Sequence, residues 1–363
     1  MGEFKILVIS DYRDTLSVRP EAELFIRLSK TGVHVDIITY PEAAYIEQFE
    51  KHRIRVLPNH PKRKFDRHFI RFLRNLLKEE KYLILHLFNS SAITNGIISA
   101  YGMPVKVVLY RGYTGNVAWY DPASYFKYLN PRVDKIWCIA SAIEELLRRQ
   151  LFFNKNKPVT IAKGHDPEWF SGVGPADLSQ FGISNDAFVV ACLANARPFK
   201  GIRFLLQSTW FLPSGKNIHI LLIGRGMDDQ SLVKLVVGSP LKDQIHITGY
   251  RTDVLDILSA SNVFVLPSIK GEATTKSVIE AMSLSITPVI TDIPGNRELV
   301  SHGKTGLVVP VKNPQAIAEA IIALFENQER CASLGKAARN HIIENFNIKD
   351  TVRKIRSLYE SLV

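Results

Sequence analysis

Two acidic residues, Glu272 and Glu280, flank a predicted helix start in the segment Ser268–Met282. Val278, Ile279, Ala281 and Met282 fall at helical spacing after a strand that ends at Leu266-Pro267, so the chain runs strand, turn, helix, with the helix opening near Thr274 or Thr275. The free amides of such a first turn favour an anion. Glu280 would sit about two turns inside, roughly 9 Å from a start near Thr274. Glu272 precedes the start. Two carboxylates thus bracket an anion site, and carboxylates accept hydrogen bonds from paired hydroxyls. A diphosphate with a sugar on each side has that layout. A second element, Leu193–Gly201, leaves the strand Phe188–Leu193 and carries Arg197, Lys200 and Gly201. Two cations at a strand end would neutralise a phosphate leaving group as its charge develops. Each element has a plainer reading: Glu272 caps a helix, Glu280 lies on a wet face, and the basic turn is solvated. Against it, Glu280 stands among apolar residues, an awkward place for a solvated charge.

The elements that must hold these residues follow from apolar periodicity. Phe4–Ser10 reads as a buried strand, Glu21–Thr31 as a helix stopped by Gly32, and Val33–Tyr40 as a second strand, which makes a βαβ unit. Short apolar runs recur at Leu83–Phe88, Val105–Tyr110 and Lys135–Ala140, with helical patterns between them, including Ala142–Gln150 after the N-cap Ser141. Ser171–Asp186 is rich in Gly, Ser, Pro and Asp and reads as a linker. The alternation then restarts, with strands at Phe188–Leu193, Ile218–Ile223, Gln244–Thr248, Val263–Leu266, Pro288–Thr291 and Gly306–Val309, and a last helix over Lys349–Leu362. The expected fold class is α/β: two doubly wound, Rossmann-like domains, 1–170 and 171–348, facing across a cleft, with the helix at 349–363 packed back on the first.

Taken together, the second-half pieces resemble the donor domain of the family-four retaining glycosyltransferases with the GT-B fold. They come in family order: Arg197 with Lys200-Gly201, Leu222–Gly226, Gly249–Arg251, Asn262–Ser268, Glu272–Met282, Pro288–Ile290, Gly295, Glu298–Val300 and Gly303–Pro310. The resemblance implies that Arg197 and Lys200 hold a diphosphate. It also implies that Glu280 binds ribose hydroxyls, that Glu272 binds hydroxyls of the transferred sugar and assists transfer, and that amides near Thr274, Thr275 and Lys276 meet the distal phosphate. The base would rest near Gly224 and Gly249, Tyr250 and Arg251. It further implies retention of anomeric configuration with no metal and no bound cofactor, a UDP-sugar or GDP-sugar being the donor substrate, and front-face attack assisted by the leaving phosphate. The sequence departs from the family in three places: the Arg-to-Lys spacing is shorter, no glycine occurs between Ser10 and Glu21, and Ala273-Thr274-Thr275 replaces Gly-Phe-Gly.

The first half resembles family acceptor domains more loosely. Acceptor contacts are expected from His86 and Asn89 at one strand end, from Arg111 at the next, and from Asp166 in a segment, Lys163–Asp166, like the family's inter-domain loop. His86 has two readings, a group that orients an acceptor hydroxyl or a core histidine with a satisfied ring. Arg111 stands where relatives carry histidine and stays protonated, so it contacts anions or hydroxyls and is no base. Over residues 62–78, Arg67, Arg71, Arg74 and Lys78 share one helical face while Phe65, Phe69, Phe72, Leu73, Leu76 and Leu77 supply an apolar side. Such a helix suits anionic lipid, and equally suits an ordinary surface helix covering a sheet.

Composition bounds the rest. The chain has 363 residues, 46 Lys+Arg against 35 Asp+Glu, and 46% hydrophobic residues. That is material for two cores and a charge that favours acidic partners. Cys138, Cys192 and Cys331 are far apart and apolar in setting, which excludes a disulfide framework and zinc spacing. No helix-turn-helix, RNP or zinc signature supports a nucleic-acid partner. Gly224-Arg225-Gly226 has Asp229 where a dinucleotide fingerprint needs its third glycine. No signal peptide and no transmembrane run is legible, so a cytoplasmic protein, peripheral at the inner face of the membrane, is expected. The reading is therefore transfer from a nucleotide sugar to a saccharide or lipid-linked acceptor in cell-surface glycan or lipopolysaccharide synthesis. The competing readings are a sugar-nucleotide epimerase on the same fold and a non-catalytic nucleotide- or nucleic-acid-binding protein.

Overall fold

The computed structural model describes residues 4–363, and the side chains of all of these except 15–17. The chain forms two compact units, Met1–Gly164 with Ile348–Val363, and His165–Asn347. The break falls at 164/165 and not at 170/171, because His165 pairs with Asn347 and its amide donates to the Phe346 carbonyl at 2.7 Å, which draws this segment into the second unit.

In the first unit the strands are β1 (Lys5–Ile9), β2 (His34–Ile38), β3 (Arg55–Leu57), β4 (Ile84–Leu87), β5 (Lys106–Arg111), β6 (Lys135–Cys138) and β7 (Pro158–Thr160). Between them run α1 (Thr15–Ser29), α2 (Ile46–Lys51), α3 (Arg67–Glu80), α4 (Ser90–Ala100), α5 (Pro122–Tyr125) and α6 (Ser141–Gln150). All pairings are parallel, in the order β3-β2-β1-β4-β5-β6-β7. β1 and β4 read as mostly apolar runs, β1 after Lys5 and β4 around His86, because a parallel sheet is buried on both faces. The two edge strands, β3 and β7, were not anticipated: three residues that include an arginine or open on proline carry no period. α1 starts earlier than Glu21 and holds Pro20 within it.

The second unit contains β8 (Phe188–Leu193), α7 (Ile202–Ser208), β9 (Ile218–Ile223), α8 (Gln230–Gly238), β10 (Ile245–Gly249), α9 (Val254–Ser259) and β11 (Val263–Leu266). It continues with α10 (Lys276–Ser283), β12 (Thr287–Thr291), α11 (Pro294–Arg297), β13 (Leu307–Val309), α12 (Pro314–Glu326) and α13 (Gln328–Asn345). Its parallel sheet runs β10-β9-β8-β11-β12-β13. The chain leaves β8 towards β9 on one side, and β11 returns on the other, so the loops after β8 and β11 diverge at a switch point where such sheets bind ligands. The last helix, α14 (Ile348–Glu360), packs on α1 in the first unit.

α3 turns its apolar side inward. Asp66 caps it, accepting from the Phe69 amide at 3.1 Å, and Phe69, Leu73, Leu76 and Leu77 are buried where the helix packs on α4. Arg74 is also engaged, donating to the carbonyls of Ser99 and Tyr101 at 3.1 and 2.9 Å. Most of the apolar side of this helix belongs to the core, with Phe72 half-buried at its margin, and the basic side meets solvent.

Candidate active site

The turn after β8 is shaped by close approach. Gly201 has φ of 65°, and a Cβ there would lie 2.1 Å from the Pro267 carbonyl oxygen at the end of β11. The Ile269 amide donates to the Phe199 carbonyl at 2.8 Å, tying the loop after β11 to the turn after β8. Glycine is the residue that fits there, so Gly201→Ala is expected to cost about 3 kcal/mol, read by thermal or denaturant unfolding. A variant within about 0.5 kcal/mol of wild type would show that the two loops do not depend on this contact.

The juxtaposition brings Lys200 and Glu272 together, with Nζ 2.5 Å from Oε1 and both side chains largely buried. Ser268 Oγ donates to the same carboxylate at 2.9 Å and Thr275 Oγ1 at 3.1 Å. Glu272 is therefore fully engaged within the protein. Gly295 supports the turn from below: a Cβ there would be 2.4 Å from the carbonyl oxygens of Glu272 and Ala273. Sequence reasoning missed Ser268 as the partner that aims Glu272, although it stands at the strand end where such a role is read.

α10 opens at Lys276, with Thr275 as its N-cap in extended conformation. The Thr275 hydroxyl serves Glu272, so it does not cap the helix, and among the described residues the amides of Lys276 and Ser277 donate to no protein atom. Because the helix starts at Lys276, Glu280 is one turn inside, about 6 Å from the start, not two turns. Glu280 is only 7% exposed and pairs with Lys276. Burial raises its carboxyl above the ordinary value, and the Lys276 ammonium opposes that shift. It is no wet-face glutamate. Thr274 Oγ1 is buried without a hydrogen-bond partner.

Beside this, Gly224 at φ 134° lets the loop after β9 pass the loop after β8: a Cβ would lie 2.0 Å from the Ala194 carbonyl oxygen. Its amide donates to the Gly249 carbonyl at 2.8 Å, and Asn195 Oδ1 accepts from the Arg225 amide at 3.3 Å. Tyr250 is exposed, with the Arg225 guanidinium 4.7 Å from its ring centre. Arg251 is committed to Asp253 through two bonds of 2.8 and 2.6 Å. Arg197 is exposed at the rim of a cavity of about 400 Å³, and among the described residues its guanidinium makes no ion pair or hydrogen bond. Among the described residues no group of three or more His, Cys, Asp or Glu is placed to hold a metal ion.

Of the first-unit candidates, His86 takes the core one of its two readings. His86 is fully buried; its Nδ1 lies 2.6 Å from Tyr359 Oη, and Phe25, Phe88 and Trp137 surround the ring. Burial pushes its pKa down to about 3, so it is a neutral core histidine. Asn89 caps α4, accepting from the Ala92 amide at 3.0 Å, with Nδ2 2.7 Å from His60 Nε2. Arg111 is buried, donates to the carbonyls of Tyr113 and Gly115, and stacks on Tyr113 and Tyr128, so it braces its own loop. Asp166 lies in the second unit, buried, accepting from the Glu168 amide at 3.0 Å.

Two family models match the chain. Residues 175–341 match the glycosyl transferases group 1 and residues 22–169 match Glycosyltransferase Family 4. The two matches together span most of the chain and support a glycosyltransferase of the family 4 type. Among curated relatives, this glycosyltransferase is 26% identical over 306 residues to the UDP-Gal:alpha-D-GlcNAc-diphosphoundecaprenol alpha-1,3-galactosyltransferase of Escherichia coli, covering 80% of this chain and 78% of that one. Among solved structures, a glycosyltransferase from Rickettsia africae superposes with a TM-score of 0.85 at 17% identity over 100% of this chain and 99% of that one. Anabaena HepE in complex with UDP superposes with a TM-score of 0.79 at 17% identity over 99% of this chain and 100% of that one. These likenesses establish the GT-B fold, and the enzyme class is glycosyltransferase.

Proposed function

We propose that this glycosyltransferase moves a sugar from a nucleoside-diphosphate sugar, a UDP-sugar or GDP-sugar, to a lipid-linked saccharide with retention of anomeric configuration, in the synthesis of a cell-surface glycan. The observation that carries the reading is the switch point of the second unit. There an unpaired Arg197, the Lys200–Glu272 pair, the free amides at the start of α10 and the buried Glu280 lie along neighbouring loops.

In this reading Arg197 and Lys200 take the diphosphate, and the Lys276 and Ser277 amides meet its distal phosphate. Glu280 accepts hydrogen bonds from the ribose, and the base lies by Gly224, Gly249 and the exposed Tyr250 ring. Donor binding exchanges partners around Glu272: phosphate oxygens take the Lys200 ammonium, and hydroxyls of the transferred sugar replace it on the carboxylate. Ser268 and Thr275 keep that carboxylate aimed during the exchange. As the bond to the anomeric carbon breaks, charge grows on the leaving phosphate, and Lys200, Arg197 and the amides stabilise it more than they stabilise the bound donor. That phosphate, still beside the anomeric carbon, accepts the acceptor's hydroxyl proton while the oxygen attacks from the same face. The lipid-linked acceptor is suggested by the diphosphoundecaprenol in the name of the Escherichia coli relative, and the uridine donor by that name and by UDP in HepE. Among the described residues no helix is long and apolar enough to cross a membrane.

Calorimetric titration with UDP and GDP, followed by an assay with UDP-galactose and an undecaprenyl-diphosphate-linked sugar, tests the proposal. Binding of one diphosphate and an α-linked product are expected. Absence of binding by either nucleotide sinks the donor site, and conversion of the sugar nucleotide without acceptor favours the epimerase reading.

A further inference from the structure

The first unit holds a cavity of about 250 Å³ that no candidate site residue lines. Tyr125 at the end of α5, Leu129, and Leu151, Phe152 and Phe153 beyond α6 form its apolar walls, and Lys157 lines it as well. Leu129 and Leu151 are buried. Phe152 and Phe153 are 62% and 84% exposed, and Asn154, in the left-handed region at φ 54°, turns the chain back just after them. The walls are braced from behind. The Trp119 ring meets Phe152 edge-on at 5.8 Å between ring centres, and the Tyr125 hydroxyl donates to the Trp119 carbonyl at 2.8 Å. The Trp119 amide donates to Gln150 Oε1 at 2.9 Å, joining the loop before α5 to the end of α6.

Lys157 selects the ligand. It is only 6% exposed, and the backbone fixes its place: its amide donates to the Asn154 carbonyl at 3.0 Å and its carbonyl accepts from the Ile136 amide at 2.8 Å. Its ammonium donates to the carbonyls of Asn130 and Pro131 at 3.1 and 3.2 Å, and among the described residues the third N–H has no partner. Among the described residues no carboxylate pairs with it either. Asp134, the acid that acts on it, is engaged by Arg132 at 3.0 Å and by Lys106 at 3.9 Å. Burial pushes the Lys157 ammonium below its ordinary value, and Asp134 opposes that shift. A buried cation is costly unless it is paired, and carbonyl dipoles leave its unit charge uncompensated beside an apolar cavity. An anion would supply that charge and accept the third hydrogen bond, and an apolar body behind it would cover the two phenylalanines. Size and polarity narrow the choice. Small-molecule sites usually span roughly 300–1,000 Å³, so this one takes a compact body. Aromatic walls favour a flat ring. Polar groups on the lining are few and Gln150 Oε1 is already taken, so a polyhydroxyl ring would leave hydroxyls unmet.

We infer that this cavity binds a small aryl anion, a single apolar ring bearing a carboxylate or a phosphate monoester, with the anionic group on the Lys157 ammonium and the ring against Tyr125, Phe152 and Phe153. The site shares no residue with the proposed donor site, and its test needs no turnover.

Calorimetric titration of the full chain with phenyl phosphate and with benzoate tests it. Saturable binding of at least one of them at a single site is expected. Inorganic phosphate and glucose 6-phosphate, which lack the apolar ring, bind about tenfold more weakly or less. Lys157→Met weakens aryl binding by about 10- to 100-fold, the loss of a charge-assisted hydrogen bond. Phe153→Ser, at a position too exposed to support the fold, weakens it by about fivefold. Affinity is unchanged in Lys200→Ala and in the presence of UDP, which separates this cavity from the loops of the second unit. Melting temperatures are taken for each variant, and the Phe153→Ser result decides if Lys157→Met melts early. Failure of both aryl anions to bind, equal binding of inorganic phosphate or glucose 6-phosphate, wild-type affinity in Phe153→Ser, or displacement by UDP would each overturn the inference.

Discussion

Lys200→Ala is expected to lower the turnover number by about 100-fold or more while the protein keeps its fold. A single preorganised donor aimed at charge that develops in the transition state is typically worth about 10²–10³ in rate, and in the proposed reaction Lys200 faces the leaving phosphate. The folded state tolerates the loss because Glu272 keeps its hydrogen bonds from Ser268 and Thr275. Lys200→Arg restores only part of the rate, since the ammonium sits at 2.5 Å from Glu272 in a largely buried position, and a planar fork needs more room. Single-turnover measurement with saturating donor separates this from weaker donor binding. Wild-type rates in the alanine variant would remove Lys200 from the chemistry.

Glu280→Gln should separate binding from stability. Burial holds the Glu280 carboxyl above its ordinary value, so the native chain keeps that proton to higher pH than the unfolded chain does. The stability linked to the protonated form is present below the ordinary carboxylate value and is lost as pH rises through the folded one. Above that folded value the wild type carries an ionised buried carboxylate beside Lys276, and the neutral amide removes the burden. The variant is expected to melt no lower than wild type at neutral pH, with its relative advantage shrinking as the pH falls through the folded value. Its affinity for the nucleoside diphosphate drops by about 10- to 100-fold, the loss of charge-assisted hydrogen bonds to ribose hydroxyls. Calorimetry and a melting series across pH read both. A variant that melts early yet binds normally would make Glu280 structural.

The contrast between these two glutamates shows what a linear sequence displays. Central strands such as β8, β9 and β11 were legible to the residue, because burial on both faces writes a continuous, almost wholly apolar run. The helix start beside Glu272 was legible too, since strand, turn and helix follow one another locally. Burial of a polar side chain was not. His86 reads as a strand-end histidine, and its partner, Tyr359, is 273 residues away on α14, so nothing near it in sequence signals that Nδ1 is already engaged. Arg111 likewise reads as a free cation, because carbonyls, which every residue has, and the Tyr113 and Tyr128 rings hold it in place of an acid. The Lys200–Glu272 pair joins two loops that only the strand order makes neighbours. Each motif was visible alone, and their mutual engagement was not.

The return of α14 to the first unit sets the order in which a ribosome can complete this protein. The second unit is one unbroken stretch, His165–Asn347, and everything its core needs has been synthesised once Asn347 has emerged. The first unit begins emerging earlier but lacks Ile348, Val352, Ile355, Leu358 and Tyr359, which are buried on α14, beyond the second unit in the chain. Until those residues arrive, α1 lacks a covering helix, and His86 lacks the hydroxyl its ring nitrogen needs. The half of the gene read first is thus the half finished last, so a nascent chain passes through a stage in which the second unit is complete and the first is still open.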